Sequence, residues 1–273
     1  MTGPTDAMAD FASNDTAVRV PVVKFDGGTR TESTDLVVTE FPLTIYLNGD
    51  EVVTLLCTPE KLDCLALGFL ESEGLLASRD EVAKLVVDKA KGRVWIESPL
   101  ERKSAKDLLG RRLVPSGCGR GASFYSITDA AGRPKVLSTV TVKADVIMSL
   151  MREFQRRSSL YHATGGVHSA ALCDGERIVV FCEDIARHNA VDKVFGQCLL
   201  SGVIAADRAL LTSGRVSSEI LLKAAKRGVP FVVSRSAPTS LALRLAGETG
   251  VTVVGFVRGS RLAVFANTWR IES

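Results

Sequence analysis

The segment Pro115-Ser116-Gly117-Cys118-Gly119-Arg120-Gly121 sets one thiol between two glycines, with an arginine two residues on. A thiolate is a nucleophile, and positive surroundings increase its population. Glycine neighbours leave the sulfur uncovered, which suits a reactive thiol better than a structural one. The chemistry open to Cys118 is therefore to carry a group on sulfur. The other five cysteines, at 57, 64, 173, 182 and 198, lie in apolar runs, at strand ends or on an apolar helix face. Cysteine in such settings is a small buried hydrophobe. No C-x-x-C pair occurs among them, so in a reducing compartment all six are expected as free thiols.

A second set of candidates gathers where apolar runs end. One run passes into Ser213-Gly214-Arg215, another into Ser234-Arg235-Ser236, a third into Gly255-Phe256-Val257-Arg258-Gly259-Ser260-Arg261. Glycine admits a ligand close to the backbone. Helix N-termini attract anions, and arginine offers planar paired donors to phosphate. Together the three ends suit a pyrophosphate, although each one singly also reads as turn chemistry with a solvated arginine. Thr164-Gly165-Gly166-Val167-His168 is a further cluster, in which His168 fits either a donor to a ligand or a satisfied core histidine. The stretch Glu183–Lys193 is dense in polar groups: Asp184 suits a helix cap, while Asp192 and Lys193 suit a solvated helix face. Arg187, His188 and Asn189 in succession exceed what a helix start needs. No H-E-x-x-H, no H-x-E with P-C-x-x-C, no Walker loop and no G-x-S-x-G elbow appears.

The elements that must position these groups follow from pattern. Asp26-Gly27-Gly28 and Asn48-Gly49-Asp50 mark turns between strands in residues 21–57. Pro59–Gly74 reads as a helix, and Val82–Val87 with Arg93–Glu97 as a strand pair. Residues 98–112 are charged and suit a helix, and 113–123 form a loop joining two halves. Ile147, Leu150, Met151 and Phe154 keep helical spacing within Lys143–Ser158. Beyond 164 strands and helices alternate: a hairpin of Ser169–Cys173 and Arg177–Cys182, helices over Ala190–Ser201, Ser217–Arg227 and Pro238–Thr249, and short apolar strands at Arg208–Thr212, Val229–Ser234 and Val251–Phe256. Leu262–Ala266 reads as the last strand. That rhythm predicts parallel strands with crossover helices, whose ligands sit beyond the carboxyl ends. The expected organisation is a tail over 1–20, a β-rich part over 21–134 that includes the 113–123 loop, and an α/β cofactor-binding domain over 135–273.

Length and composition bound the rest. The chain has 273 residues, 34 Lys and Arg against 31 Asp and Glu, and 46% apolar residues. This is ordinary globular composition and excludes a disordered or disulfide-stapled chain. A net charge of +3 is too small to bind nucleic acid by bulk electrostatics. No run of about 18 apolar residues spans a membrane. The first twenty residues hold three aspartates and no apolar signal core, so a cytoplasmic location is expected.

Several segments together resemble one family. TGGVHSAAL (164–172), EDIARHNAVDKVFG (183–196), LTSGRVSSE (211–219), SRSAPTSLALRLA (234–246) and GFVRG (255–259) are similar to the formate dehydrogenase accessory sulfurtransferases, the FdhD/NarQ family. The resemblance spans nearly all of the chain after the tail. It implies an α/β fold with a cytidine-deaminase-like three-layer mixed sheet, lacking the deaminase zinc site, and a β-rich N-terminal part. It implies a sulfurtransferase that passes persulfide sulfur from a cysteine desulfurase to the molybdenum cofactor, bis-molybdopterin guanine dinucleotide, before formate dehydrogenase receives it. The family's sulfur travels on the first cysteine of a C-G-x-C-G-like loop, which matches Cys118. The second is Gly121 here, which leaves Cys118 as sole carrier. The family's cofactor segment matches Phe256–Arg261, one of the three strand ends picked out above.

The resulting cofactor-binding set is Phe256, Val257, Arg258, Gly259, Ser260, Arg261, Ser213, Gly214, Arg215, Ser234, Ser236, Gly165, Gly166, His168, Arg187, His188 and Asn189, with Cys118 catalytic and no metal ligand. Expected partners are the desulfurase, formate dehydrogenase and the molybdenum cofactor, and the apolar C-terminal strands suit a homodimer. The alternative is a non-enzymatic chaperone that binds and delivers the cofactor with Cys118 incidental. A zinc hydrolase or deaminase is disfavoured by the missing second cysteine and the missing H-x-E.

Overall fold

The structure is a computed structural model and describes residues 16–99 and 135–273. The loop over 113–123 with Cys118, the helix expected within 98–112 beyond residue 99, and residues 1–15 lie outside the described residues.

Three layers form around a six-stranded sheet. Its strands are β8 (His168–Cys173), β9 (Ile178–Asp184), β10 (Ala209–Thr212), β11 (Phe231–Ser234), β12 (Thr252–Arg258) and β13 (Arg261–Ala266). They lie in the order β13-β12-β11-β10-β8-β9. β10, β11 and β12 run parallel, as the strand–helix rhythm predicts, while β8 and β13 run antiparallel to their neighbours. Alternate residues face opposite layers. Ala171, Leu211, Val233 and Val254 meet α2 (Ala144–Arg157) through Ile147, Leu150, Met151 and Phe154. Ala170, Leu210, Val232 and Val253 meet α4 (Arg187–Ser201), α5 (Ser218–Lys226) and α6 (Ser240–Thr249). Ser217 and Thr239 cap α5 and α6, accepting the N–H of Ile220 and Ala242. A short helix α3 (Ser159–Thr164), which no periodicity announces, joins α2 to β8.

The N-terminal part is β-rich, as expected. β3 (Phe41–Leu47), β4 (Asp50–Cys57), β5 (Lys84–Asp88) and β6 (Arg93–Glu97) form a sheet in the order β4-β3-β6-β5. The β3–β4 turn uses Asn48 and Gly49, both at positive φ (51° and 87°), as a two-residue hairpin requires. α1 (Leu62–Ser72) covers one face, with Leu65, Leu67 and Leu70 against Leu43, Ile45, Val94 and Ile96. β1 (Ala17–Asp26) and β2 (Thr29–Val38) form a separate antiparallel ribbon. Residues 17–20 are therefore strand rather than tail, because they pair with Asp35–Val38. Leu262–Ala266 is not the last strand either: β14 (Ile271–Glu272) pairs in parallel with β7 (Val142–Lys143).

The two parts meet where α1 crosses α4. A methyl group at Gly68 would run into the backbone of Asp192, and one at Gly196 into the backbone of Cys64. This approach overturns the expectation that Asp192 and Lys193 form a solvated face. Both are buried, at 2% and 0% exposure, because α1 covers the side of α4 that the sheet does not. Asp192 takes Lys223 at 2.6 Å and the Ser72 hydroxyl at 2.7 Å. Lys193 takes Asp184 at 2.7 Å and the Thr58 hydroxyl at 2.6 Å. Among the described residues no helix is long and apolar enough to cross a membrane.

Candidate functional site

The strand directions bring distant segments to one edge. β10, β11 and β12 end at Thr212, Ser234 and Arg258. Antiparallel β8 begins on that same edge, and β9 ends there, with His168 opposite Asp184. A cleft of about 420 Å³ opens between this edge and the α2–α3 connection. Of the expected set it brings together Gly165, Gly166, His168, Ser213, Ser236 and Arg258, and it adds Arg235. Ser158, Tyr161 and His162 also line it, and none of them carried a sequence signal. A second, more open groove of about 560 Å³ is lined by Phe256, Arg258, Gly259, Arg261, Leu262 and Ala263. Arg258 borders both.

Several expected ligands prove to be scaffold. Ser234 is fully buried: its hydroxyl donates to the Gly214 carbonyl at 2.6 Å and accepts the Ser236 N–H at 2.9 Å. It thus ties two of the strand-end loops together. The third joins through the Phe256 N–H, which donates to the Ser236 carbonyl at 3.1 Å. Gly214 is packed against the Arg187 side chain, where a Cβ would meet it at 2.9 Å. Val257 points into the core against α2, at 1% exposure. Asn189 donates both amide hydrogens, to the Leu56 carbonyl at 2.9 Å and to Asp184 at 3.0 Å. Ser260 is exposed in the β12–β13 turn. Phe256 holds a positive φ of 52° and stands exposed beside Phe265, ring centroids 6.0 Å apart. A non-glycine residue in that region is strained, and such strain persists where the surroundings hold it.

Cations dominate the open edge. Arg215, Arg235, Arg258 and Arg261 form no ion pair with a described residue. His168 has its pKa lowered by burial and then by Arg187, His188 and Arg215, against an opposite pull from Asp184. His188 reaches Glu219 at 3.1 Å and the Ser217 hydroxyl at 3.3 Å. Glu183 is half-buried and accepts the N–H groups of Leu160 and Tyr161, both at 3.1 Å. It thereby anchors α3, the outer wall of the cleft, to β9. Burial pushes the Glu183 carboxyl up, against the pull of those two bonds.

The five described cysteines are free and buried. Loss of hydration pushes the thiols of Cys57, Cys64 and Cys173 up to about 12, Cys198 up to about 11, and Cys182 upward. They are protonated and inert at neutral pH, as the apolar settings predicted. Among the described residues, no three His, Cys, Asp or Glu side chains converge on a point that could hold a metal ion.

Fold and site define a three-layer α/β protein with a cation-rimmed cleft at the carboxyl edge of a mixed sheet, suited to an anionic ligand. The FdhD/NarQ family model matches residues 38–272, and the chain belongs to this family. It is 41% identical to the sulfur carrier protein FdhD of Bacillus subtilis over 257 residues, covering 94% of this chain and 98% of that one. With the sulfur carrier protein FdhD of Geobacillus kaustophilus it shares 43% over 264 residues, 97% and 99% of the two chains. Among solved structures it is similar to a protein from Desulfotalea psychrophila assigned as a formate dehydrogenase accessory protein, with TM-score 0.78, 29% identity, and coverage of 94% and 100%.

Proposed function

We propose that this chain is a sulfurtransferase that carries sulfur as a persulfide on Cys118. It takes the sulfur from a cysteine desulfurase and passes it to bis-molybdopterin guanine dinucleotide held at the sheet edge, for use by formate dehydrogenase. The observation that carries this reading is the edge itself: Arg235, Arg258 and Arg261, with no acidic partner among the described residues, line a cleft and a groove that share Arg258, and Arg215 stands close enough to act on His168. The names of the relatives, sulfur carrier and formate dehydrogenase accessory protein, support it. So does the inertness of the other five thiols, which leaves Cys118 to do the chemistry.

In the first step the Cys118 thiolate attacks the outer sulfur of the desulfurase persulfide. A new S–S bond forms on Cys118, the donor S–S bond breaks, and the donor cysteine leaves as thiolate. Passing this sulfur on as sulfide takes two electrons. Gly121 stands where the family's second loop cysteine would be, so an external thiol reductant supplies them. Arg235, Arg258 and Arg261 hold the phosphates of the acceptor, and Arg215 adds positive potential. Free thiols persist in a reducing compartment, which supports a cytoplasmic site of action. Exposed Phe265 and Trp269 near the C-terminus support a homodimer.

The test is Cys118→Ala. Mass spectrometry after incubation with desulfurase and cysteine should show no added 32 Da on the variant, and cells carrying it should lose formate dehydrogenase activity. Normal activity in those cells rules out the carrier role. Isotopic sulfur that reaches the cofactor without passing through the protein leaves only a cofactor chaperone.

A further inference from the structure

Two cleft histidines have a ring nitrogen in a hydrogen bond: His162 Nε2 donates to the Gln155 carbonyl at 2.8 Å, and His168 meets a hydroxyl. The His168 Nδ1 lies 3.1 Å from the Ser213 hydroxyl. That hydroxyl oxygen already accepts the Ser169 N–H at 3.0 Å. The hydroxyl fills both its donor and its acceptor role here when its own proton goes to Nδ1, which among the described residues is the acceptor within its reach. Once Nδ1 accepts, the ring is uncharged and its remaining proton sits on Nε2. His168 lines the cleft, and no described residue bonds its Nε2.

Resting on the cofactor reading above, we infer that Ser213 locks His168 as the Nε2–H tautomer, and that this uncharged donor reads a neutral carbonyl oxygen on the heterocyclic part of the ligand. Phosphate oxygens go to Arg235 and Arg258. The charges around His168 agree. Arg187, His188 and Arg215 oppose a further positive charge, and only Asp184 favours one. Asp184 is already committed to Lys193 at 2.7 Å. A site that already holds Arg235 and Arg258 has no need of a further cation for phosphate. A neutral donor discriminates instead, because it contributes little to a bare anion and much to an oriented carbonyl.

Long-range proton–nitrogen spectra of the full-length, nitrogen-15-labelled chain test the tautomer, with its three histidines assigned by single substitution. At pH 7.5 His168 should show an unprotonated Nδ1 and a protonated Nε2. Ser213→Ala should turn this into a mixture of tautomers. A wild-type His168 protonated at Nδ1, or at both nitrogens, overturns the inference without any variant. GDP and inorganic pyrophosphate serve as probes of the ligand class. His168→Ala should weaken GDP about three- to tenfold and leave pyrophosphate unchanged, and His168→Gln, which keeps a donor, should recover most of the loss. Equal losses for both probes would make His168 a phosphate ligand. Unchanged GDP binding by His168→Ala, with normal binding by the wild type, defeats the His168 role alone. A wild type that binds pyrophosphate but not GDP defeats the cofactor reading and the ligand class together.

Discussion

Two regions of this molecule are rich in charge and treat it in opposite ways. Around the α1–α4 seam charges close on one another: Lys193 with Asp184, Lys223 with Asp192, Arg227 with Glu71. At the carboxyl edge of the large sheet Arg215, Arg235, Arg258 and Arg261 have no acidic partner among the described residues. A pair closed within the protein contributes to holding two parts in register. A guanidinium left open to solvent contributes little to stability and keeps its donors for something else. The seam is structure and the edge is the proposed site, and substitutions should separate them.

The largest effect is expected at the seam. Lys193→Met keeps the stem and removes the charge, leaving Asp184 without its cation at 0% exposure. Breaking one side of a buried pair costs about 3–5 kcal/mol, to be read from urea or thermal unfolding. Asp184→Asn combined with Lys193→Met should recover part of that loss, since no unpaired charge is then left buried. If Lys193→Met unfolds like the wild type, the contrast between seam and edge fails. Gly68→Ala comes next. Its methyl group meets the Asp192 carbonyl, which is backbone and cannot swing aside. A cost of about 1–3 kcal/mol is expected from forcing the helices apart, with the cleft chemistry intact in whatever fraction remains folded.

The edge should behave in reverse. Arg258→Ala with Arg261→Ala removes two exposed guanidinium groups, so the stability should stay within the range of a surface change, about 0.5 kcal/mol. Guanine nucleotide affinity should fall about tenfold or more at low ionic strength, and the deficit should shrink as salt screens the lost attraction. Isothermal titration at two salt concentrations reads both. Unchanged affinity removes these residues from the site.

The contrast also explains what the sequence could and could not reveal. The open edge was legible because its signals are local. Strand ends carrying Ser213-Gly214-Arg215 and Ser234-Arg235-Ser236 announce themselves in three residues, and parallel topology places them together. The seam was not legible, because it is made by segments far apart. Asp192 and Lys193 read as a solvated face until α1, some 120 residues earlier, is laid over them. Asn189 looked like a ligand for the same reason: its acceptors, Leu56 and Asp184, come from two different sheets. Ser158 and Tyr161 were missed because α3 is held by the Glu183 carboxylate rather than by a hydrophobic face, so it leaves no periodicity to find.

The smallest effect is a pH dependence that originates at the edge. Burial alone would raise the Glu219 carboxyl, but the hydrogen bond and charge of His188, with Lys223 and Arg187, hold it below its ordinary value of 4.5. A depressed carboxyl contributes stability that is complete above its unfolded pKa and is lost as pH falls through the folded one. His168 is depressed as well, from an ordinary 6.5, chiefly by burial. Its contribution is complete above 6.5 and is lost as pH falls through its lower folded value, so its window opens earlier in an acid titration. The two groups therefore separate on the pH axis. Glu219→Gln should flatten the unfolding midpoint only below about pH 4.5, and His168→Gln should flatten it in the window just below 6.5. Lys193→Met should shift the midpoint throughout the range between these windows, because the buried contact to Asp184 at 2.7 Å is lost across all of it. A His168→Gln profile parallel to the wild type from pH 7 to 5 would mean that this imidazole is as free to take a proton in the folded protein as in the unfolded chain, and the edge would no longer be the place where positive charge accumulates.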